Sequence, residues 1–413
     1  MAAKSGKGGK GKGKSNSRRK AAAQSSAVKK LITLLTVILI IVLIVAIIVI
    51  SVKGLWGDII DYIKSFINSD ETPSGDKTPV PSGTAKLEGD ILEMRVLDIG
   101  QGDCILFILP DGQVMIMDIG SEFGTPSPWG VLESNLKELE ITTIDYLFIT
   151  HADYDHIREA KKLIDNYQIK NFYFPRVSIE KSTWLNAYNA AQSETYVENG
   201  ITKKSLYYEN IGQFEISGEN WLMKCYSFDE KDYPVIKDNS SAELKNAISP
   251  TCLLEYSDKT IVLTGDSNEM SEEYLIDKGY FDDVDADVLK VGHHGSKTST
   301  TQEFLNKVDC EYAIISTNGE SYGHPTPELL DRLDKYVDLV PDDDYNGFAQ
   351  VYRTDQDGTI TVQIDENGVM NLIADENEEK NTTTGVPYEV EGEEIKESGA
   401  IATVIYKKEY LYL

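Results

Sequence analysis

The chain has 413 residues, with 68 acidic against 40 basic side chains and a formal charge of −28. That balance argues against a broad nucleic-acid-binding face on the folded part, because an acidic surface repels a polyanion. Four cysteines, Cys104, Cys225, Cys252 and Cys310, stand far apart with no CxxC and read as buried free thiols; pairing in an oxidising compartment is the alternative.

Residues 1–30 carry ten Lys or Arg and no acid, a low-complexity basic arm expected to be disordered. The stretch 31–52, "LITLLTVILIIVLIVAIIVISV", is free of charge and long enough to cross a bilayer. No small-x-small site follows it, so an uncleaved anchor is expected rather than a signal peptide. Basic residues before the span place the N-terminus in the cytoplasm and the bulk of the chain outside. Residues 53–92 then read as a juxtamembrane segment. Trp56, Ile59, Ile60, Ile63, Phe66 and Ile67 fall at helical spacing and are followed by a Pro/Gly/Ser linker.

From 93 to 365 short apolar runs alternate with helical patterns. "MRVLDIG", "CILFILP", "QVMIMDIG" and "IDYLFITH" read as strands. The last of them runs into "HADYDH", residues 151–156. After it Ile157, Ala160, Leu163, Ile164 and Tyr167 recur as one buried helix face. His151 thus sits at a strand end, with Asp155 and His156 at or near a helix start. Imidazoles and carboxylates converging there suit Zn or Mn, and the alternating spacing lets four residues feed two ions.

The chain has only five histidines. The other three lie in "LKVGHHGSKTST" (His293, His294) and "SYGHPTPELL" (His324), each after a strand-like run. "KTIVLTGDSNE" ends another strand at Asp266. Polar residues gathered at strand ends along one edge of a layered α/β domain are where a site is built.

Taken in order, "DIGQGDC", "MIMDIGS", "ITHADYDH", "NAISPTCLLEY", "VLTGDSN", "LKVGHHGS", "YGHP" and "YRTDQDGTI" resemble the metallo-β-lactamase superfamily, and within it the extracellular hydrolase domain of ComEC-type competence proteins. The resemblance covers about residues 93–364 and implies a four-layer αβ/βα sandwich, here preceded by a single transmembrane helix. It implies two divalent metal ions. His151 and Asp153 would hold one, Asp155 and His156 the other, and Asp266 would bridge them. One of His293 and His294 completes the set, and the sequence leaves open which. Asn246 and Ser249 occupy the interval where the wider superfamily carries a further histidine, and both are expected among the substrate contacts. Arg158 and Glu159 replace the usual Gly-Gly after the first motif, and Pro250 replaces an aliphatic residue.

A metal-bridging hydroxide would be the nucleophile at neutral pH, and His324 would contact substrate or protonate the leaving oxygen. Ser296 and Lys297 are expected to meet a phosphate at a helix start; helix capping is the rival reading for Ser296 and Thr298. Asp103 and Asp118 are expected to orient ligand histidines from behind. Trp184, Tyr188, Tyr196, Tyr207 and Tyr208 either stack on bases or pack against the sandwich, with packing preferred. Residues 366–413 read as an acidic linker ending in strands.

The expected activity is that of a membrane-anchored, metal-dependent phosphodiesterase or nuclease, with DNA as one candidate substrate. A cell-envelope phosphoesterase, for example one acting on phosphorylcholine esters, is the alternative. A non-catalytic, metal-stabilised binding module is a third reading. No protein partner is inferable.

Overall fold

The computed structural model describes Leu87 and residues 90–122, 127–282, 284–336 and 350–384. The basic arm, the expected anchor, the juxtamembrane helix and the terminal strands after residue 384 lie outside the described residues. Among the described residues, no helix is long and apolar enough to cross a membrane.

Two sheets carry the chain. In sequence order the strands of the first are β1 (Leu92–Val96), β2 (Ile105–Ile108), β3 (Val114–Met117), β4 (Thr143–Phe148), β5 (Gln168–Phe174) and β6 (Leu206–Glu209). The second sheet follows with β7 (Gln213–Ser217), β8 (Trp221–Tyr226), β9 (Thr251–Tyr256), β10 (Lys259–Leu263), β11 (Val288–Lys290), β12 (Tyr312–Ile315) and β13 (Gln350–Arg353). The chain then returns to the first sheet with β14 (Ile360–Ile364), β15 (Met370–Ala374) and β16 (Thr382–Thr384), giving the order β16-β15-β14-β1-β2-β3-β4-β5-β6. The last two strands correct the expected domain end: antiparallel pairing continues past Asp365, so residues 370–384 belong to the sheet and not to a linker.

Three apolar clusters define the layers. Met94, Phe107 and Phe148 from the first sheet meet Trp221, Met223 and Leu254 from the second in a dry core between the sheets. The outer face of the first sheet, with Leu106, Ile116 and Leu147, is covered by helices α1 (Pro128–Glu138), α3 (Ala160–Asn166) and α4 (Ser182–Ser193) through Leu132, Leu163 and Trp184. A short α2 (Tyr154–Ile157) precedes α3, and α5 (Ala242–Asn246) precedes β9. The outer face of the second sheet packs on α6 (Glu269–Asp277), α7 (Gln302–Val308) and α8 (Pro327–Tyr336) through Leu275, Phe304 and Leu329. Strands covered on both faces must be apolar throughout, which is why "ILFI" and "VMIM" are continuous and not alternating.

The helix expected after "HADYDH" is two helices. The chain breaks at Arg158–Glu159, where the Glu159 amide leaves the helix to donate to the Ile119 carbonyl at 3.0 Å. The segment 182–209 is α4, then a hairpin of Thr195–Glu198 with Ile201–Lys204 turning on Asn199–Gly200, both at positive φ, then β6. Asn-Gly favours that tight turn because both residues tolerate the left-handed region. Trp184, Tyr188 and Tyr207 pack with Phe174 in one aromatic cluster on the outer face. All four cysteines are free and buried.

Candidate metal centre

Within each sheet one set of strands runs parallel: β3 to β6 in the first, β10 to β13 in the second. Their carboxyl ends release the polar residues of the motifs, as open α/β sheets generally do at a binding edge. Asp118 leaves β3, His151 leaves β4, Asp266 leaves β10, and His293 and His294 leave β11.

Two glycines let these loops meet. A Cβ on Gly120 would stand 2.5 Å from the Asp155 carbonyl carbon and 2.6 Å from the His156 nitrogen. One on Gly102 (φ +154) would stand 2.1 Å from the Gly120 oxygen. Only a hydrogen fits at either position, so the "DIGQGD" and "DIGS" turns press directly on the ligand turn.

The side chains converge tightly. The His156 Nε2 lies 3.1 Å from Asp266 Oδ1 and 3.3 Å from His294 Nε2. His294 Nε2 is 3.4 Å from Asp155 Oδ2, and His151 Nε2 is 3.8 Å from Asp266 Oδ2. Among the described residues, donor atoms within 4.8 Å of one another form the groups His151–His156–Asp266, Asp155–His156–His294 and Asp103–Asp266–His294. A further group, Asp103–Asp118–His156, lies behind the first. Of the adjacent histidines, His294 is buried and belongs to these groups. His293 is a quarter exposed, 3.7 Å from Asp266 Oδ2, and meets the Asn246 amide at 3.1 Å. Asp153 belongs to none of the groups; its carbonyl accepts from the His156 and Ile157 amides, so it starts α2.

Behind the ligands each ring is held by a partner. Asp118 Oδ2 accepts from His156 Nδ1 at 2.7 Å and from the Thr150 hydroxyl at 2.7 Å. The Ser316 carbonyl lies 3.0 Å from His294 Nδ1. Ser249 Oγ lies 3.2 Å from His151 Nδ1 and accepts from the Asp266 amide at 3.3 Å. Ser249 was expected among substrate contacts; buried and doubly bonded in this way, it positions His151 and Asp266 instead.

Electrostatics follow from the packing. Burial raises the Asp266 carboxyl, but His156, His293 and His294 outweigh it and hold the pKa well below the ordinary value. Asp155 is lowered to about 2, its burial overcome by the hydrogen bond from His294 and the charge of His156. Burial disfavours the His156 imidazolium, yet Asp266 and Asp118 together raise its pKa well above 6.5. His151, buried and beside His156, is lowered. These are ionised carboxylates facing rings whose protons a cation would displace. The buried His151 Nε2 has no hydrogen-bond partner, which fits a ligand nitrogen. The donor set therefore fits a divalent metal.

His324 sits at the rim, its ring 5.2 Å from that of His293, with its pKa lowered to about 4 by burial and by His293. The ring is therefore neutral at pH 7, with one nitrogen to donate and one to accept. Thr326 and Pro327 do open α8, the Thr326 hydroxyl accepting from the Leu329 amide at 3.4 Å. Ser296 and Thr298 start no helix. They bond each other at 3.0 Å, and α7 begins seven residues after Gly295, capped by Thr301. Lys297 is exposed on that loop.

Three contributors escaped the sequence reading. Lys290 is fully buried at the end of β11 and donates to Asp103 Oδ2 at 3.1 Å. Burial opposes the Asp103 charge, but Lys290 lowers its pKa. Glu272 on α6 accepts from the Thr300 and Thr301 amides at 2.6 and 2.8 Å, while Arg332 donates to the Ser299 and Thr300 carbonyls at 2.8 and 2.6 Å. Together they clamp the loop that follows His293–His294. The signal for Lys290 was a lone lysine inside the apolar run "ADVLKVG"; nothing local marked Glu272.

Residues 97–213 match the metallo-beta-lactamase superfamily. The chain is 30% identical over 284 residues to the ComE operon protein 3 of Bacillus subtilis (strain 168), covering 65% of this chain and 34% of that protein. It is 25% identical over 261 residues to the Recombination protein 2 of Haemophilus influenzae, covering 63% of this chain and 28% of that protein. The chain thus spans about a third or less of the length of these relatives. Among solved structures it is similar to Igni18, a metallo hydrolase from Ignicoccus hospitalis, at 14% identity and a TM-score of 0.37, over 65% of this chain and 98% of that one.

Proposed function

Because the chain is a metallo-β-lactamase superfamily protein related to ComE operon protein 3 and the ComEC-type competence proteins, we propose that it is a phosphodiesterase of the nuclease kind. In this reading it uses two divalent cations, Zn or Mn, and is tethered to the membrane by residues 31–52 with the hydrolase domain outside. The observation that carries the reading is Asp266: its carboxylate belongs to one donor group with His151 and His156 and to another with Asp103 and His294. A carboxylate placed between two sets of ligands is what two neighbouring cations require.

Bound cations supply Lewis acidity toward phosphoryl oxygens and a water activated at neutral pH. The chain does the rest. Ser249 fixes His151 and the Asp266 backbone, and Asp118 aims His156 Nε2 inward by binding its other nitrogen. His324, neutral at the rim, offers a ring N–H to a phosphate oxygen without adding charge. Asn246, buried, holds the His293 ring through its side-chain amide at 3.1 Å.

The test uses the full chain in detergent, stripped of metal and reloaded with Mn or Zn. Single-stranded DNA, duplex DNA, RNA, bis-p-nitrophenyl phosphate and a phosphorylcholine ester are offered to it and to Asp266→Ala. Metal-dependent cleavage of a polynucleotide, lost in the variant, supports the proposal. Cleavage of the choline ester alone moves the function to the cell envelope, and no cleavage with metal bound rejects hydrolysis. Protease digestion of intact cells checks the topology, since protection of the domain would overturn an outward-facing one.

A further inference from the structure

A cavity of about 320 Å³ is walled by the loop after β5, one face of α4 and the end of β6, and no residue of the metal centre lines it. Pockets of roughly 300–1,000 Å³ take small organic molecules. β5 and β6 lie one and two strands from β4, roughly 5 and 10 Å across the sheet, and end at the edge where β4 releases His151.

Three aromatic rings form the inner wall. Trp184 and Tyr188 stand four residues apart on α4, hence on one helix face, and Tyr207 comes from β6. With the buried Phe174 they close a circuit of ring contacts, each pair 5.6–5.9 Å apart, and Tyr188 and Tyr207 meet edge to face at 85°. Trp184 is buried, while the two tyrosines keep part of their surface.

The rim is acidic. Arg176 is the one cation among the residues that line the cavity, and its fork is spent. Nε donates to Glu209 at 2.7 Å, and Nη1 and Nη2 donate to Glu230 at 2.7 and 2.9 Å. An anion therefore finds no free guanidinium there. Glu180, exposed on the same loop, has no ion-pair partner among the described residues. Lys181 and Lys237 flank the loop without lining the cavity. The frame is built in advance: Val177–Ser178 pairs with Ile236–Lys237, the Tyr233 hydroxyl accepts from the Arg176 amide at 3.3 Å, and Asp238 Oδ2 accepts from the Glu180 amide at 3.0 Å. A preformed wall leaves little to order on binding.

We propose that this cavity is a binding site for a small organic ammonium ion, held between the rings of Tyr188 and Tyr207 and the carboxylates of Glu180 and Glu209. Ring faces attract a cation within about 6 Å, and the carboxylates add charge of the right sign. The same carboxylates repel a phosphate, so the cavity and the metal centre select opposite charges. Asn210, next to Glu209, donates to the Ile149 carbonyl at 2.8 Å, two positions before His151. α4 also packs on α2, which carries Asp155 and His156. An occupant thus rests against the framework that holds the metal ligands, and its binding requires no hydrolysis.

Saturation-transfer NMR on the metal-loaded full chain in a non-ionic detergent tests the site. The probes are choline, its uncharged isostere with carbon in place of nitrogen, and thymidine. Choline is expected to bind with a Kd on the order of 1 mM, as a ligand of few heavy atoms permits. The isostere should bind at least about tenfold more weakly. Glu180→Gln should weaken choline roughly fivefold and leave the isostere unchanged, whereas Tyr188→Ala should weaken both. Melting temperature and metal content of the variants serve as folding controls. Equal binding of choline and its isostere makes the cavity a plain apolar pocket and overturns the proposal. So does a choline Kd unchanged in either variant, which places binding elsewhere, and so does the absence of saturable choline binding. Thymidine binding more tightly than choline, and loosened by Tyr188→Ala, gives the cavity to a nucleobase instead. None of these outcomes bears on whether the metal centre cleaves a diester.

Discussion

Asp118 and His156 are joined at 2.7 Å with both side chains fully buried, and this one bond fixes which nitrogen of His156 faces Asp266. Asp118→Asn would keep the volume and lose the charge that makes His156 a strong donor. Partners of this kind are worth about 10–100-fold in metal affinity. Zn titration calorimetry should show that loss; an unchanged affinity would mean the ring is oriented by packing alone.

Lys290 and Asp103 bury opposite charges from different sheets. Lys290→Met takes the ammonium from the buried Asp103 carboxylate, leaving it the Ser316 hydroxyl, and should destabilise the domain by about 3–5 kcal/mol. The double variant Lys290→Met/Asp103→Leu should regain much of that, because removing both charges also removes their desolvation cost. Urea denaturation of the metal-free protein would decide it.

Gly120→Ala tests the close approach of loops. Its Cβ would collide with backbone of the ligand turn, which cannot rotate away, so a loss on the order of 3 kcal/mol is expected. Metal binding should weaken together with stability. A variant that melts normally and binds metal normally would show that the turn can shift.

Glu272 supplies a pH dependence. Its carboxyl is raised from 4.5 to about 7, burial dominating over the amides of Thr301 and Thr300 that favour the charged form. A group whose pKa is higher folded than unfolded stabilises fully below its unfolded pKa, and that contribution fades as pH rises through the folded pKa. Stability should therefore fall between about pH 4.5 and 7 by up to about 3 kcal/mol from this group. Glu272→Gln cannot titrate, so its urea midpoint should vary less over that window than the wild type's. Parallel curves would assign the pH dependence elsewhere.

The parts of this centre that were legible in the sequence are those fixed by neighbours along the chain. "ITHADYDH" declares itself because a buried strand ends where polar ligands begin, and five histidines shared among three strand ends left few other readings. What stayed hidden depends on residues brought together across the sheets. Lys290 meets an acid 187 positions away, and Ser249 acquires its role only when His151, 98 positions away, docks on it. The choice between His293 and His294 is made by left-handed backbone at both, which turns one ring inward and the other toward Asn246. The strands after Asp365 were missed because acidic turns such as "DENG" and "DENEEK" outweigh, in composition, the short apolar runs between them.

His156 and His294 stand 138 positions apart in the chain and 3.3 Å apart in space. A cation gripped by both would act as a removable rivet through the sandwich, closing a long loop that an unloaded chain leaves free to open. Starvation for metal would then do more than silence the enzyme: it would loosen one sheet from the other and offer the chain to proteases. The amount of the protein would come to track the metal supply, with no regulator needed to read it.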